Sequence, residues 1–287
     1  MMKILVLGAN GMVGHVVALY LQRKGHQVTA LARKAKIAEL HYIEADIRDL
    51  SFLYGVLSSG KYDSVVNCVG VLNQMAESDK ENAIFINALL PHTLAKFIQY
   101  MPTHCIHIST DCVFSGSRGN YVEQDIPDGQ DMYSRSKYLG ELNDSKNLTF
   151  RTSVIGPDIN ENGIGLLNWF MKQKKEVDGY IGAIWTGVTS FTLAQAVESA
   201  LVQGLTGIYH LVNNEKINKY ELLQLFNHVL RGDEITINPN AAVQHDKSLI
   251  CTRKDFAFIV PGYLDMVSDM RKWIIDNKDI YSHYEVR

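Results

Sequence analysis

Cysteine is scarce in this chain, and the four present, Cys68, Cys105, Cys112 and Cys251, are scattered without metal-ligand spacing. That excludes a disulfide-stapled scaffold and a zinc module and leaves free thiols, with Cys68 and Cys105 in or beside buried strands as small hydrophobes. No apolar run approaches the roughly 20 residues of a membrane span, and no signal-peptide pattern precedes the first apolar segment. A cytoplasmic protein with no membrane partner is expected. An excess of either charge is also lacking: 28 Lys plus Arg stand against 31 Asp plus Glu, for a formal net charge of -3. Nothing in that balance favours nucleic acid as a partner, so basic residues must act locally. Repeats, low-complexity tracts and long linkers are absent, and 287 residues suit one large domain or a main domain with a smaller companion.

What the chain does have begins at its N-terminus. Lys3 to Leu7 is a short Ile/Leu/Val run of the kind that forms a buried parallel strand, and His15 to Leu21 reads as a helix. Between them lies Gly8-Ala9-Asn10-Gly11-Met12-Val13-Gly14. Backbone N–H groups at a helix N-terminus lack intrahelical partners and carry the positive end of the dipole, so a pyrophosphate can rest there where no Cβ intervenes. Gly8 serves the tight turn, Gly11 the approach of phosphate and Gly14 the contact of helix with sheet; Asn10, Met12 and Val13 complete the candidate cradle.

Further strands are expected at 27–31, 41–45, 63–70, 104–108, 148–153 and 207–212, and helices at 82–100, 133–141, 192–203 and 218–226. The second strand ends in Arg33, Lys34 and Lys36 with no acid. Cations there favour the extra phosphate of NADP over NAD, although a solvated loop has the same composition. The fourth strand delivers Cys68, Val69 and Gly70 to the crevice of an open parallel sheet. The fifth delivers Ser109 and Thr110. Tyr133 and Lys137 stand four apart on one helical face. A phenol with a pKa near 10 is a poor proton donor or acceptor near neutrality, and an ammonium one turn away lowers that pKa by stabilising the phenolate. Lys137 can also hold the nicotinamide ribose, and a hydroxyl from Ser109 or Thr110 can orient a substrate oxygen.

The order Gly-x-x-Gly-x-x-Gly, Ala76-Glu77-Ser78, Ile108-Ser109-Thr110-Asp111-x-Val113-Phe114, Tyr133-x-x-x-Lys137 and Phe150-Arg151-Thr152-Ser153 resembles the extended short-chain dehydrogenases/reductases, and within them the dTDP-4-dehydrorhamnose reductase family. The resemblance covers nearly the whole chain and is most specific between residues 105 and 153. It implies an α/β fold, a doubly wound parallel sheet of the NAD(P)-binding Rossmann kind over residues 1–155. Residues 156–287 would form mainly a small C-terminal substrate lobe, with about 185–213 returning to the main domain. It implies a reductase of a nucleotide-linked 4-keto-6-deoxy sugar that uses NADPH, or NADH, with Thr110, Tyr133 and Lys137 as the catalytic set. No metal is called for, and a homodimer is compatible. It further implies that Asp46, beside Ile47, bonds the adenine amino group, where a helix N-cap is the plainer role. Asn87 would help to organise the lysine. Asn168 is a candidate sugar-nucleotide contact, with a helix cap or surface amide as the alternative. Trp185 stacks on a base or, preferably, fills the core, in a loop that departs from the family's Pro-Thr pattern. An epimerase or dehydratase of the same superfamily ranks second, since Cys112 stands where a dehydratase would carry a second acid. A cofactor-binding regulatory subunit ranks third.

Overall fold

The computed structural model describes all of residues 1–287. Twelve strands follow one another along the chain: β1 Lys3–Leu7, β2 Gln27–Ala32, β3 His41–Glu44, β4 Ser64–Asn67, β5 His104–Ile108, β6 Leu148–Arg151, β7 Val154–Ile155, β8 Glu176–Trp185, β9 Val188–Thr189, β10 Gly207–His210, β11 Ile217–Asn218 and β12 Thr236–Asp246. Seven of them form one parallel sheet in the order β10-β6-β5-β4-β1-β2-β3. Both faces are covered, which is why these strands are near-continuous apolar runs rather than alternating ones. Along β1, Ile4 and Val6 enter a core of 47 residues on one face, while Leu5 and Leu7 enter one of 13 on the other.

From β1 the chain lays down β2 and β3 in one direction and then β4, β5, β6 and β10 in the other. Loops leaving the carboxyl ends of β1 and β4 therefore diverge, and the crevice between them is where ligands of open α/β sheets bind. The architecture is the doubly wound Rossmann-like sheet that the motif order implied. β10 returns to its edge, parallel to β6, and the Ser190–Gln203 helix packs beside the Gly14–Arg23 helix.

The continuous helix expected at 82–100 is instead three pieces. Asp79 caps the turn Lys80–Ala83, a π-helical turn runs Ile84–Leu89, and an α-helix follows at Leu90–Phe97. Pro91 explains the break. It has no N–H to offer the carbonyl of Asn87 four residues earlier, so the α-ladder cannot run through that point and the preceding turn widens. The widened turn faces Gly140, where any Cβ would collide with the Asn87 carbonyl.

Elements not anticipated from sequence build much of the C-terminal lobe. β8 lies between antiparallel β11 and parallel β12, with a register shift between Asn240 and Gln244. The Lys219–Arg231 helix packs on β8 and opens with a capping box formed by Asn218 and Glu221. A final helix, Tyr263–Asp276, leads into a tail that returns to the N-terminal helix.

Candidate active site

The turn after β1 has the clearance a phosphate needs. Gly8 adopts φ +76°, and a Cβ on it would press on Cys68 and Val69 at 3.1–3.2 Å, tying the turn to the loop after β4. At Gly14 a Cβ would strike the Gly8 carbonyl, so only glycine lets the helix begin so close to the sheet. Gly11 has only the Gly8 oxygen near its Cβ direction, at 3.4 Å, which leaves its outer side open. Val13 packs at the helix start, and Met12 reaches toward Gly165 of the C-terminal lobe. These residues fit a dinucleotide. At the end of β2, Arg33, Lys34 and Lys36 are exposed, which suits a 2′-phosphate.

Three further cofactor candidates are engaged in contacts within the protein. The Asn10 amide donates to the Lys34 carbonyl at 2.7 Å and accepts from the Tyr42 hydroxyl at 2.9 Å, so it braces the turn against the β2 loop. Asp46 is paired with Arg48 at 2.6 Å, which, with the Arg48 backbone N–H, holds its carboxyl down to about 2. Asp49, not Asp46, caps the Leu50–Gly60 helix, and Ile47 packs against the smaller core. Asn87 is buried in the π-turn. It accepts from the Val71 N–H at 2.9 Å and donates to the Val71 carbonyl at 2.9 Å and to Ser136 Oγ at 3.0 Å. Both of its N–H donors are used, and it clips the loop beyond Gly70 to the helix of Tyr133 and Lys137.

At the crevice mouth, Thr110 caps the short turn Asp111–Val113, accepting from the Cys112 N–H at 3.1 Å and donating to Asp111 at 3.2 Å. Tyr133 and Lys137 come from the Met132–Leu139 helix, whose start is fixed by Asp131 accepting from the Ser134 N–H at 2.7 Å. The Thr110 side chain lies near enough to the Tyr133 hydroxyl to pull its pKa down. Even so, the expectation of a lowered phenol pKa fails. Burial, reinforced by nearby Cys112 and Asp111, raises Tyr133 above its ordinary value, and the Thr110 hydrogen bond opposes this only in part. Lys137 is turned elsewhere: its Nζ donates to the Ile108 carbonyl at 2.7 Å and lies 3.3 Å from Nε2 of His107. Burial brings the lysine down to about 8.

His107 and Asn67, which sequence reasoning passed over, form the floor beneath Lys137. The Asn67 amide oxygen accepts from the Val69 N–H at 3.2 Å, and its nitrogen lies 3.1 Å from Nδ1 of His107. Burial, then the Lys137 charge, holds the imidazole well below its usual range, so it stays neutral.

Two substrate candidates are withdrawn. Ser109 donates its single proton to Glu141 at 2.7 Å, and Glu141 is gripped by Arg151 through Nε at 2.8 Å and Nη2 at 2.7 Å, all buried beneath the strand end. Asn168 is fully buried. Its amide nitrogen holds the carbonyls of Glu161 and Gly163 at 2.9 and 2.6 Å, and its oxygen accepts from Tyr284 at 2.8 Å. It shapes the 160–163 loop. Trp185 is 3% exposed, and beside it a cavity of about 340 Å³ opens between Asp111 and Cys112 on one side and Lys219, His245 and Lys247 on the other. Neither lysine carried a local sequence signal, because each comes from a different element of the lobe.

The RmlD substrate binding domain family matches residues 2–249. The chain belongs to this family. A dTDP-4-dehydrorhamnose reductase of Burkholderia thailandensis is 31% identical over 227 residues, 74% of this chain and 73% of that one. The methionine adenosyltransferase 2 subunit beta of Danio rerio is 26% identical over 234 residues, 77% of this chain and 71% of that one. In fold, the structure of a dTDP-4-dehydrorhamnose reductase from Bacillus anthracis in complex with NADP matches with a TM-score of 0.79 at 20% identity, covering 94% of this chain and 98% of that one. In this chain Tyr133 and Lys137 share the Met132–Leu139 helix, and Thr110 caps the turn that follows β5. No group of His, Cys, Asp and Glu side chains has metal-site geometry, and no helix is long and apolar enough to cross a membrane.

Proposed function

We propose that this protein reduces the 4-keto group of a nucleotide-linked 6-deoxy sugar at the expense of NADPH. The observation that carries the reading is Tyr133 and the buried Lys137 one turn apart on the Met132–Leu139 helix, beside Thr110 at the turn that follows β5. Bound in the glycine-lined crevice, NADPH would supply the hydride for the carbonyl carbon. What remains for the protein is the developing negative charge on the carbonyl oxygen. Tyr133, kept protonated by its burial, gives its proton to that oxygen, and Thr110 turns its one proton from Asp111 to donate a second hydrogen bond to it. Lys137, whose ammonium bonds the Ile108 carbonyl, would have to turn from it to answer the phenolate charge and hold the cofactor ribose. The exposed Arg33, Lys34 and Lys36 support NADP over NAD. Family membership supports the nucleotide-sugar class, as does the activity named for the Burkholderia relative.

The test is the stoichiometry of NADPH loss. A reductase oxidises one NADPH for each dTDP-4-keto-6-deoxy sugar reduced. An epimerase or dehydratase returns its cofactor within each turnover and shows no net loss. The subunit-beta relative keeps a non-catalytic reading in view. Tight NADPH binding with no consumption on any nucleotide-linked 4-keto sugar favours that reading.

A further inference from the structure

Two lysines of the C-terminal lobe line a cavity beside Asp111 and Cys112 with no hydrogen-bonding or carboxylate partner. Lys219 is the first residue of the Lys219–Arg231 helix, and Lys247 follows the end of β12. Both line the cavity of about 340 Å³ that Asp111 and Cys112 bound from the other side. Neither ammonium hydrogen-bonds to the protein, and neither lies within 4.0 Å of a carboxylate; the nearest ion pair in the lobe joins Lys216 to Asp246 instead. Lys219 stands over the Trp185 ring, 4.9 Å from its centroid.

This is an unfavourable place for a cation. The first turn of a helix carries the positive end of its dipole, so a lysine there is repelled rather than held. Burial adds to the cost and brings Lys219 down to about 8, with only Asp111 and the Cys112 thiol opposing. Burial and Asp111 raise the Cys112 thiol and nearby Lys247 opposes them, while burial lowers His245 and both lysines lower it further. Two ammoniums and a neutral imidazole thus share one carboxylate, Asp111, so the cavity is net cationic in a chain whose overall charge is negative. The indole N–H of Trp185, buried in the same wall, also has no acceptor. An unpaired buried donor is destabilising until something accepts from it.

The geometry points to an anion subsite in which Lys219 and Lys247 hold the diphosphate bridge of the substrate, placing the attached sugar against Thr110 and Tyr133. The assignment rests on the nucleotide-sugar reading but concerns binding, which can be measured without turnover. A diphosphate offers oxygens to both ammoniums at once and neutralises the excess charge, and charge-assisted contacts of this kind are the strong ones. The Trp185 face beneath Lys219 walls the subsite.

The test is calorimetric titration of the NADP-loaded full chain with dTDP, UDP and inorganic pyrophosphate, and with thymidine and uridine as uncharged controls. The expected result is that Lys219→Met and Lys247→Gln each weaken the three diphosphates by about 10- to 100-fold, leaving NADP affinity and any nucleoside binding unchanged. In turnover the loss should fall on KM rather than kcat. Unchanged dTDP affinity in either folded variant overturns the assignment, as does a loss shared equally by the nucleosides. Should the buried Lys219→Met variant fail to fold, Lys247→Gln and the wild type in rising KCl decide the matter. Diphosphate affinity that is insensitive to salt contradicts a two-lysine site. Lysine-dependent dTDP binding without NADPH consumption keeps the subsite and rejects the reductase. Normal turnover with unchanged KM in both variants does the reverse.

Discussion

At the scale of single residues, the site works by opposite treatments of a phenol and an amine. Burial raises Tyr133 and lowers Lys137, so each is pushed toward its neutral form. For a reduction this ordering is useful: the tyrosine must carry a proton to give away, and the lysine must be charged when the phenolate forms. With Lys137 at about 8, its charge is present below that pH and lost above it. The rate of sugar reduction should therefore be level from pH 6 to 7 and decline as pH rises through about 8, a limb that a Lys137→Met variant should lack at its much lower rate. A profile of kcat in wild type that stays flat to pH 9.5 would show that the lysine charge plays no part. The pairing of Tyr133 and Lys137 was legible in sequence because it is local, four residues on one helix. Its floor, His107 and Asn67, and the capture of Ser109 by Glu141 were not, since those contacts join β4 to β5 and the end of β5 to the Met132–Leu139 helix and the turn after it.

Among the elements, the glycine turn carries the most information. Its spacing alone indicates a strand, a cradle and a helix because each glycine answers a steric demand that no other residue meets. Gly14→Ala is expected to abolish NADPH binding, as its Cβ would enter the Gly8 carbonyl. Gly55→Ala, on a helix where nothing lies within 4 Å, is the matched control and should leave cofactor affinity unchanged. Equal affinities in the two variants, read by fluorescence titration, would contradict the fit. The core strands were legible for a related reason: both faces are covered, and a short Ile/Val/Leu run has few alternatives. β8 and β12 were not. Glu176, Asp178 and Tyr180 point outward from β8, Gly179 and Gly182 interrupt it, and Pro239 and a register shift mark β12. Their pairing comes from tertiary contact that no local pattern records. The π-turn at Ile84–Leu89 was hidden too, although Pro91 was in view, because a proline's missing N–H can end, kink or widen a helix and the neighbours decide which.

Across the whole molecule, the C-terminal tail wires the two halves of the crevice together. His15 is fully buried, and its Nδ1 lies 2.7 Å from the Gly11 carbonyl, so that nitrogen carries the proton. Its Nε2 then accepts from Tyr281 at 2.5 Å, and Tyr281 accepts from Trp273 Nε1 at 3.0 Å. Three residues on, Tyr284 accepts from the Asp158 N–H and donates to Asn168. One segment thus pins the phosphate turn and the 158–168 loop. Tyr281→Phe leaves two buried polar atoms unpaired, at a cost of about 1–3 kcal/mol. That variant should melt earlier and bind NADPH several-fold more weakly, whereas Tyr100→Phe, on an exposed side chain, should change neither. Unaltered NADPH affinity in Tyr281→Phe would mean that the tail supports stability alone.

The most direct measurement of the central claim is a single turnover: enzyme preloaded with NADPH, mixed with dTDP-4-keto-6-deoxy sugar, wild type against Tyr133→Phe. The account predicts equal cofactor occupancy, one NADPH oxidised per sugar in the wild type, and a rate lower by about 10² to 10⁴ in the variant. Equal rates in the two proteins would contradict it.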